Sequence, residues 1–216
     1  MIPIRASATA VEAFRLFMQP DNDWMSLEAL EAQILGRSPE SPAMRVGTSF
    51  GGLIEHGGAE LVDARGDYRF NGITFEGASM REALNRYDRR GLFEVKGTKL
   101  YGDVLVVAKA DQMLGAQLVE TKTTTSGFDF EKYAASAQWR LMADMFRPLL
   151  ITYRVAVLGE LAPESYTVRE FVEFNVFPYP ALHADCVALV EQFRAFVVSR
   201  GLDQPLRERQ ARAEAA

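Results

Sequence analysis

The stretch Ala108-Lys-Ala-Asp111-Gln-Met-Leu-Gly115-Ala-Gln-Leu-Val-Glu120-Thr-Lys122-Thr123 decides the fold. The runs 92 to 96, 99 to 111 and 116 to 122 are rich in Val, Leu, Phe and Tyr, the composition of strands, and Gly97 and Gly115 are the expected turns between them. Two strands that meet at Gly115 bring Asp111, near the end of one, close to Glu120 near the end of the other. Residues two apart on a strand point to the same face, so Glu120 and Lys122 share a side. Two carboxylates and an ammonium then occupy one small volume.

Working outward, Ser7 or Thr9 caps a first helix running to about Met18, and Pro20 and Asp21 end it. Ser26 caps a second helix that stops before Gly36. The polar linker 37 to 42 leads to a third helix from about Ala43 to His56, weakened by Gly47, Gly51 and Gly52. Segments 59 to 63 and 68 to 75 read as a hairpin around Gly66, followed by a short basic helix from Ser79 to Arg90. After the central strands come a helix at about 129 to 146, strands at 149 to 158 and 166 to 177, and a long helix to Arg200. This order predicts an α/β or α+β fold, with a central mixed sheet flanked by helices. Residues 1–202 are expected to form one domain, and the charged, Ala-rich tail 203–216 to be a solvated helix or disordered.

The composition narrows the function classes. A single cysteine, Cys186, excludes an intrachain disulfide and a cysteine-cluster metal site. No apolar run reaches the roughly 20 residues that span a bilayer, and no signal segment opens the chain, so the expectation is a cytoplasmic protein without a membrane partner. A net charge of -5 argues against non-specific coating of nucleic acid, while leaving room for local basic patches.

Asp111, Glu120 and Lys122 together supply what phosphodiester hydrolysis needs. Carboxylates hold Mg²⁺, a hard cation that prefers oxygen ligands and keeps open positions for water and phosphate. The ion polarises the phosphoryl group, and a neighbouring lysine orients water or offsets developing charge. The carbonyl of Thr121, between the two side chains, is a natural further ligand. A lone Glu-x-Lys on a strand is usually a surface ion pair. Its context separates this one from that background.

The sequence resembles the PD-(D/E)xK nuclease superfamily, in particular its RecB-like and phage-exonuclease-like branch. The likeness rests on an Asp, a tight turn and Val119-Glu-Thr-Lys-Thr123, followed by a helix with Tyr133, Ala134, Ser136, Gln138 and Trp139 that is similar to the branch's glutamine motif. Upstream, Gly47-Thr-Ser-Phe-Gly-Gly-Leu-Ile-Glu55 is similar to its first helical motif, and Ser7 through Pro20 to its usual opening segment. The resemblance implies a restriction-endonuclease-like core and a DNA substrate. It implies catalytic roles for Asp111, Glu120, Lys122 and Gln138, and a Mg²⁺ site, in which Mn²⁺ can substitute, at Glu55, Asp111, Glu120 and Thr121. There are departures: Ala110 replaces the naming proline, Gly51 stands where many relatives carry a histidine ligand, and Met142 where they carry a tyrosine. The cysteines of the iron–sulfur members are missing.

The implied activity is an exonuclease of recombination, repair or phage DNA metabolism. An endonuclease with the same chemistry and an inactive DNA-binding or assembly protein are the alternatives. As in some phage exonucleases, the resemblance extends to a homo-oligomeric ring around DNA and to a recombination partner protein as expected partners. Arg81, Arg86, Arg89 and Arg90, with Lys96, Lys99 and Lys109, are candidate phosphate contacts or a solvated face; the hydroxyls of Thr123 to Ser126 are read the same two ways. His56 and His183 lack a partner at metal spacing.

Overall fold

A computed structural model describes residues 2–57, 62–88 and 90–214. The elements in chain order are β1 (Ile4–Ser7), α1 (Ala8–Phe17), α2 (Leu27–Ile34), α3 (Pro42–His56), β2 (Tyr68–Phe70), β3 (Ile73–Phe75) and α4 (Gly77–Asn85). They continue with β4 (Leu92–Tyr101), β5 (Val104–Leu114), β6 (Gln117–Thr124), α5 (Phe130–Ala134), α6 (Ala137–Phe146), β7 (Leu150–Ala162), β8 (Ser165–Val176), α7 (Leu182–Ser199) and α8 (Asp203–Glu214). The strands form one mixed sheet in the order β1-β5-β6-β7-β8-β3-β2, with β4 also paired to β5. Pairs β1–β5, β6–β7 and β3–β8 are parallel, and the remaining pairs are antiparallel.

Alternation along the strands sends side chains into two cores. Val104, Val106, Ala108, Leu118, Tyr153 and Val155 pack beneath α1, α2, α6, α7 and α8. Val119, Ala156 and Leu158 pack on the opposite face beneath α3 and α4, against Phe50, Leu53 and Met80. Helices therefore cover both faces of the mixed sheet. Ser7, Ser26 and Ser41 cap α1, α2 and α3 through side-chain oxygens that accept backbone N–H bonds.

Several expectations need correcting. Gly97 is not a turn. β4 runs straight through it, and the turn lies at Gly102, where φ is +57°. A Cβ at Gly97 would meet Met145 Sδ and the Phe146 ring at 2.7 Å, so this glycine lets α6 press onto β4. The tight hairpin in 68–75 turns at Asn71 and Gly72, both at positive φ, as a two-residue hairpin turn requires. Around Gly66 a smaller loop closes on a Val62–Tyr68 bridge; residues 59–61 lie outside the described residues. The helix expected over 129–146 is two, because Ser136 leaves the helical conformation and caps a fresh start at Ala137. The tail is helical over 203–214 and buries Leu206 and Gln210, with α8 packed on β1.

One detail of the sheet makes the site. β4 covers one edge of β5 along its length, so β1 and β6 share the other edge. β1 takes residues 104–107 and β6 takes only 112–114. At Asp111 and Glu120 the two strands have parted, and an opening is left between them.

Candidate active site

Where β5 and β6 part, Asp111 takes over from the ladder: its Oδ2 accepts the Thr121 N–H at 2.7 Å. That bond orients the Thr121 peptide and holds Asp111 opposite Glu120. Lys122 Nζ donates to Glu120 Oε2 at 3.0 Å and to Gln138 Oε1 at 3.2 Å. Gln138 is aimed by the start of α6, where Ser136 Oγ accepts the Gln138 N–H and Glu12 Oε2 accepts the Ala137 N–H at 2.6 Å. Glu12 is itself fixed by Arg15. Sequence, turn chemistry and helix capping thus converge on one ammonium.

The electrostatics follow from burial. Glu120 is fully buried, and its Oε1 has no hydrogen-bond partner. Desolvation, with the Asp111 charge adding to it, pushes its carboxyl up to about 7, against the pull of Lys122. Asp111 is likewise raised by desolvation, opposed by Lys122 and by the Thr121 N–H bond. Desolvation alone would lower Lys122, but Glu120 and Asp111 outweigh it and hold the ammonium above its ordinary range. One cation thus serves two carboxylates, Glu120 buried and Asp111 half-buried.

The site opens into a cleft of about 640 Å³ that Asp111, Thr121, Lys122 and Glu55 all line. Glu55 reaches it from the last turn of α3, so the cleft joins the helical motif to the strand motif. Among the described residues, no three His, Cys, Asp or Glu side chains are close enough together to hold a metal ion on their own. Mg²⁺ does not require this, since it commonly takes one or two carboxylates and completes its shell with water and substrate oxygens. A buried carboxylate with an unpartnered oxygen at Glu120, beside the half-buried Asp111 carboxylate on the cleft wall, fits such an ion.

Other expected residues divide. Lys109 lines the cleft and pairs with Glu94, whereas Lys99 points away to Asp144 at 2.8 Å and Lys96 does not line it. Arg86 pairs with Glu82 and lies over the Phe171 ring; Arg90 pairs with Asp88; Arg89 is outside the described residues. His56 stacks on Phe70 at the cleft wall, and His183 Nδ1 contacts Asp144 on the far side of the sheet. At Gly51 a Cβ would meet nothing within 4 Å, so the space a histidine would take is open cleft, and Met142 is core.

The sequence reading missed Tyr87, Glu94 and Glu12. The Tyr87 hydroxyl lies 2.9 Å from Thr121 Oγ1. Glu94 sits across from Asp111 with φ of +56°, a conformation a glutamate rarely adopts, and its charge helps to raise Asp111. No local pattern announces any of them, because each reaches the site from another element.

No known family profile matches the chain, and no curated protein matches it either. Solved structures do. The alkaline exonuclease LHK-Exo from Laribacter hongkongensis superposes with a TM-score of 0.53 at 13% identity, over 100% of this chain and 96% of its own. Its complex with dAMP gives 0.52 at 13% identity, over 98% and 94%. A structure from Eubacterium rectale, described as a candidate exonuclease, gives 0.52 at 15% identity, over 92% and 82%. The chain therefore has the restriction-endonuclease-like fold that these exonucleases share, as its resemblance to the PD-(D/E)xK superfamily implied.

Proposed function

We propose that this protein is a metal-dependent DNA nuclease, and specifically an exonuclease of recombination, repair or phage DNA metabolism acting in the cytoplasm. The observation that carries the reading is the fully buried Glu120, its Oε1 unpartnered, held beside Asp111 with Lys122 against it. Burial of like charges is costly unless something offsets it. A structural ion pair needs one carboxylate, and here two share one lysine.

Asp111, Glu120 and the Thr121 carbonyl, with Glu55 across the cleft, would hold Mg²⁺. Once bound, the ion supplies Lewis-acid polarisation of the scissile phosphate and lowers the pKa of water. Lys122 keeps its proton and donates a hydrogen bond toward the attacking water or the phosphate oxygen, while Gln138 fixes the ammonium in place. Asp111 orients the Thr121 peptide. The exonuclease names of the structural neighbours support end-directed action, although at such low identity they establish the fold only.

The test is digestion of end-labelled linear duplex and of covalently closed circular DNA, with Mg²⁺ or with EDTA. An exonuclease degrades the linear form alone, and only with metal; cleavage of the circle would make the protein an endonuclease. Asp111→Asn should abolish cleavage while leaving the fold intact. Retention of more than about a tenth of the activity would remove Asp111 from the mechanism, since losing a metal ligand costs on the order of a thousandfold.

A further inference from the structure

A second groove of about 480 Å³ lies beyond the catalytic cleft, between the start of α3, Thr123 to Thr125, and strands β7 and β8. The two share Ala43 and Thr123, so one continuous trough leads away from Asp111 and Lys122. Arg169 lies in its far part. The guanidinium end of that side chain rests on β7 at Gly159, where an added Cβ would meet Arg169 Nε at 1.9 Å and Cζ at 2.5 Å. Gly159 is buried inside a strand with an ordinary φ, a place where glycine weakens the strand unless something must come close. Here that something is Arg169. The register irregularity between Val157 and Leu158 falls at Arg169 itself: β8 pairs Glu170 with Val157 and Val168 with Leu158, which leaves Arg169 as the extra residue of a bulge.

Arg169 is also unengaged. Neighbouring Arg45, Arg86 and Arg154 are paired to Glu164, Glu82 and Glu173. Among the described residues Arg169 makes no hydrogen bond or ion pair, although Glu160 lines the same groove. Lys122 lies opposite Val155 and Val155 opposite Val172, so Arg169 is two strands across and three residues along from Lys122. That separation is roughly 15 Å by strand geometry, about two nucleotides of an extended strand from the scissile bond.

We propose that Arg169, seated on Gly159, is a binding subsite for a backbone phosphate of the DNA strand held in this trough. The proposal rests on the nuclease reading for the identity of the ligand. Thr123 to Thr125 offer hydroxyls along the way, and a forked guanidinium suits a phosphodiester.

The experiment is fluorescence anisotropy with a labelled single strand of about twelve nucleotides, in Ca²⁺, across a salt series. Wild type, Arg169→Gln, Arg169→Lys and Gly159→Ala are compared, each checked by thermal melting. Arg169→Gln should weaken binding roughly tenfold and reduce the salt slope by about 0.7, the value for one phosphate contact on single-stranded DNA. Arg169→Lys should recover part of the loss. Gly159→Ala should weaken binding although the arginine remains, because its seat is blocked. On a dinucleotide, whose single internucleotide phosphate at the catalytic cleft leaves nothing to reach Arg169, all four proteins should bind alike.

An unchanged affinity and salt slope in Arg169→Gln would overturn the proposal, as would equal losses on long and short strands. If Gly159→Ala does not fold, the comparison of Arg169→Gln with Arg169→Lys still decides. Arg169-dependent binding without any cleavage by the wild type would support the subsite and sink the nuclease reading.

Discussion

Replacing Glu120 by Gln should make the metal-free protein more stable at alkaline pH while destroying its activity. The side chain is fully buried, and its carboxyl is raised from 4.5 to about 7 by desolvation and by Asp111. Below pH 4.5 the group is protonated in the folded and unfolded chain alike, and it has no effect on stability. Between 4.5 and about 7 the unfolded chain releases the proton while the folded chain retains it, so stability falls as pH rises. Above about 7 the full cost is present. The gap, at about 1.4 kcal/mol per pH unit, is roughly 3 kcal/mol. The glutamine of the variant cannot ionise, so it escapes this cost at every pH, although its amide brings a fixed desolvation penalty of about 1–3 kcal/mol.

The informative quantity is therefore the pH dependence. Urea melts of both proteins in EDTA at pH 5 and pH 8 measure it, and the fixed amide penalty cancels. Wild type should lose about 2–3 kcal/mol relative to the variant between these conditions, or several degrees in melting temperature at roughly 2–4 °C per kcal/mol. Parallel pH dependences would refute the reasoning, since they would mean that Glu120 ionises without penalty and that the site holds no unrelieved charge for a metal to offset.

Two further outcomes follow from the same cluster. Lys122→Ala should slow hydrolysis strongly yet leave Mn²⁺ affinity equal or tighter in calorimetry, because a cation beside the metal opposes its binding; lost affinity would contradict this. Mg²⁺, Mn²⁺ or Ca²⁺ at about ten times Kd should stabilise wild type by roughly 1.4 kcal/mol, seen as a rise in melting temperature of a few degrees, and Asp111→Asn should show no such rise. An equal rise in the variant would place the ion elsewhere.

The sequence by itself determined the parts that depend on neighbours along the chain. The caps at Ser7 and Ser26, the strand alternation that puts Glu120 and Lys122 on one face, and the turn at Gly115 are local consequences of side-chain chemistry. The mixed sheet with flanking helices follows from their order. Local reading failed where a glycine answered to a distant partner. Gly97 looks like a turn from its neighbours and is instead the contact for Met145 and Phe146, and the Arg169 side chain occupies the space beside Gly159. It also could not foresee that Ser136 would break one helix into two, which lets Glu12 of α1 cap the second and aim Gln138 at Lys122.

Only the tertiary structure decided the character of the site. β4 occupies one edge of β5, so β1 and β6 must divide the other, and the strands part where Asp111 and Glu120 face each other. The layers above and below that gap desolvate Glu120 and leave Lys122 to balance two carboxylates. A sequence names charges, but their cost depends on the water around them, and only the packed layers set how much water remains.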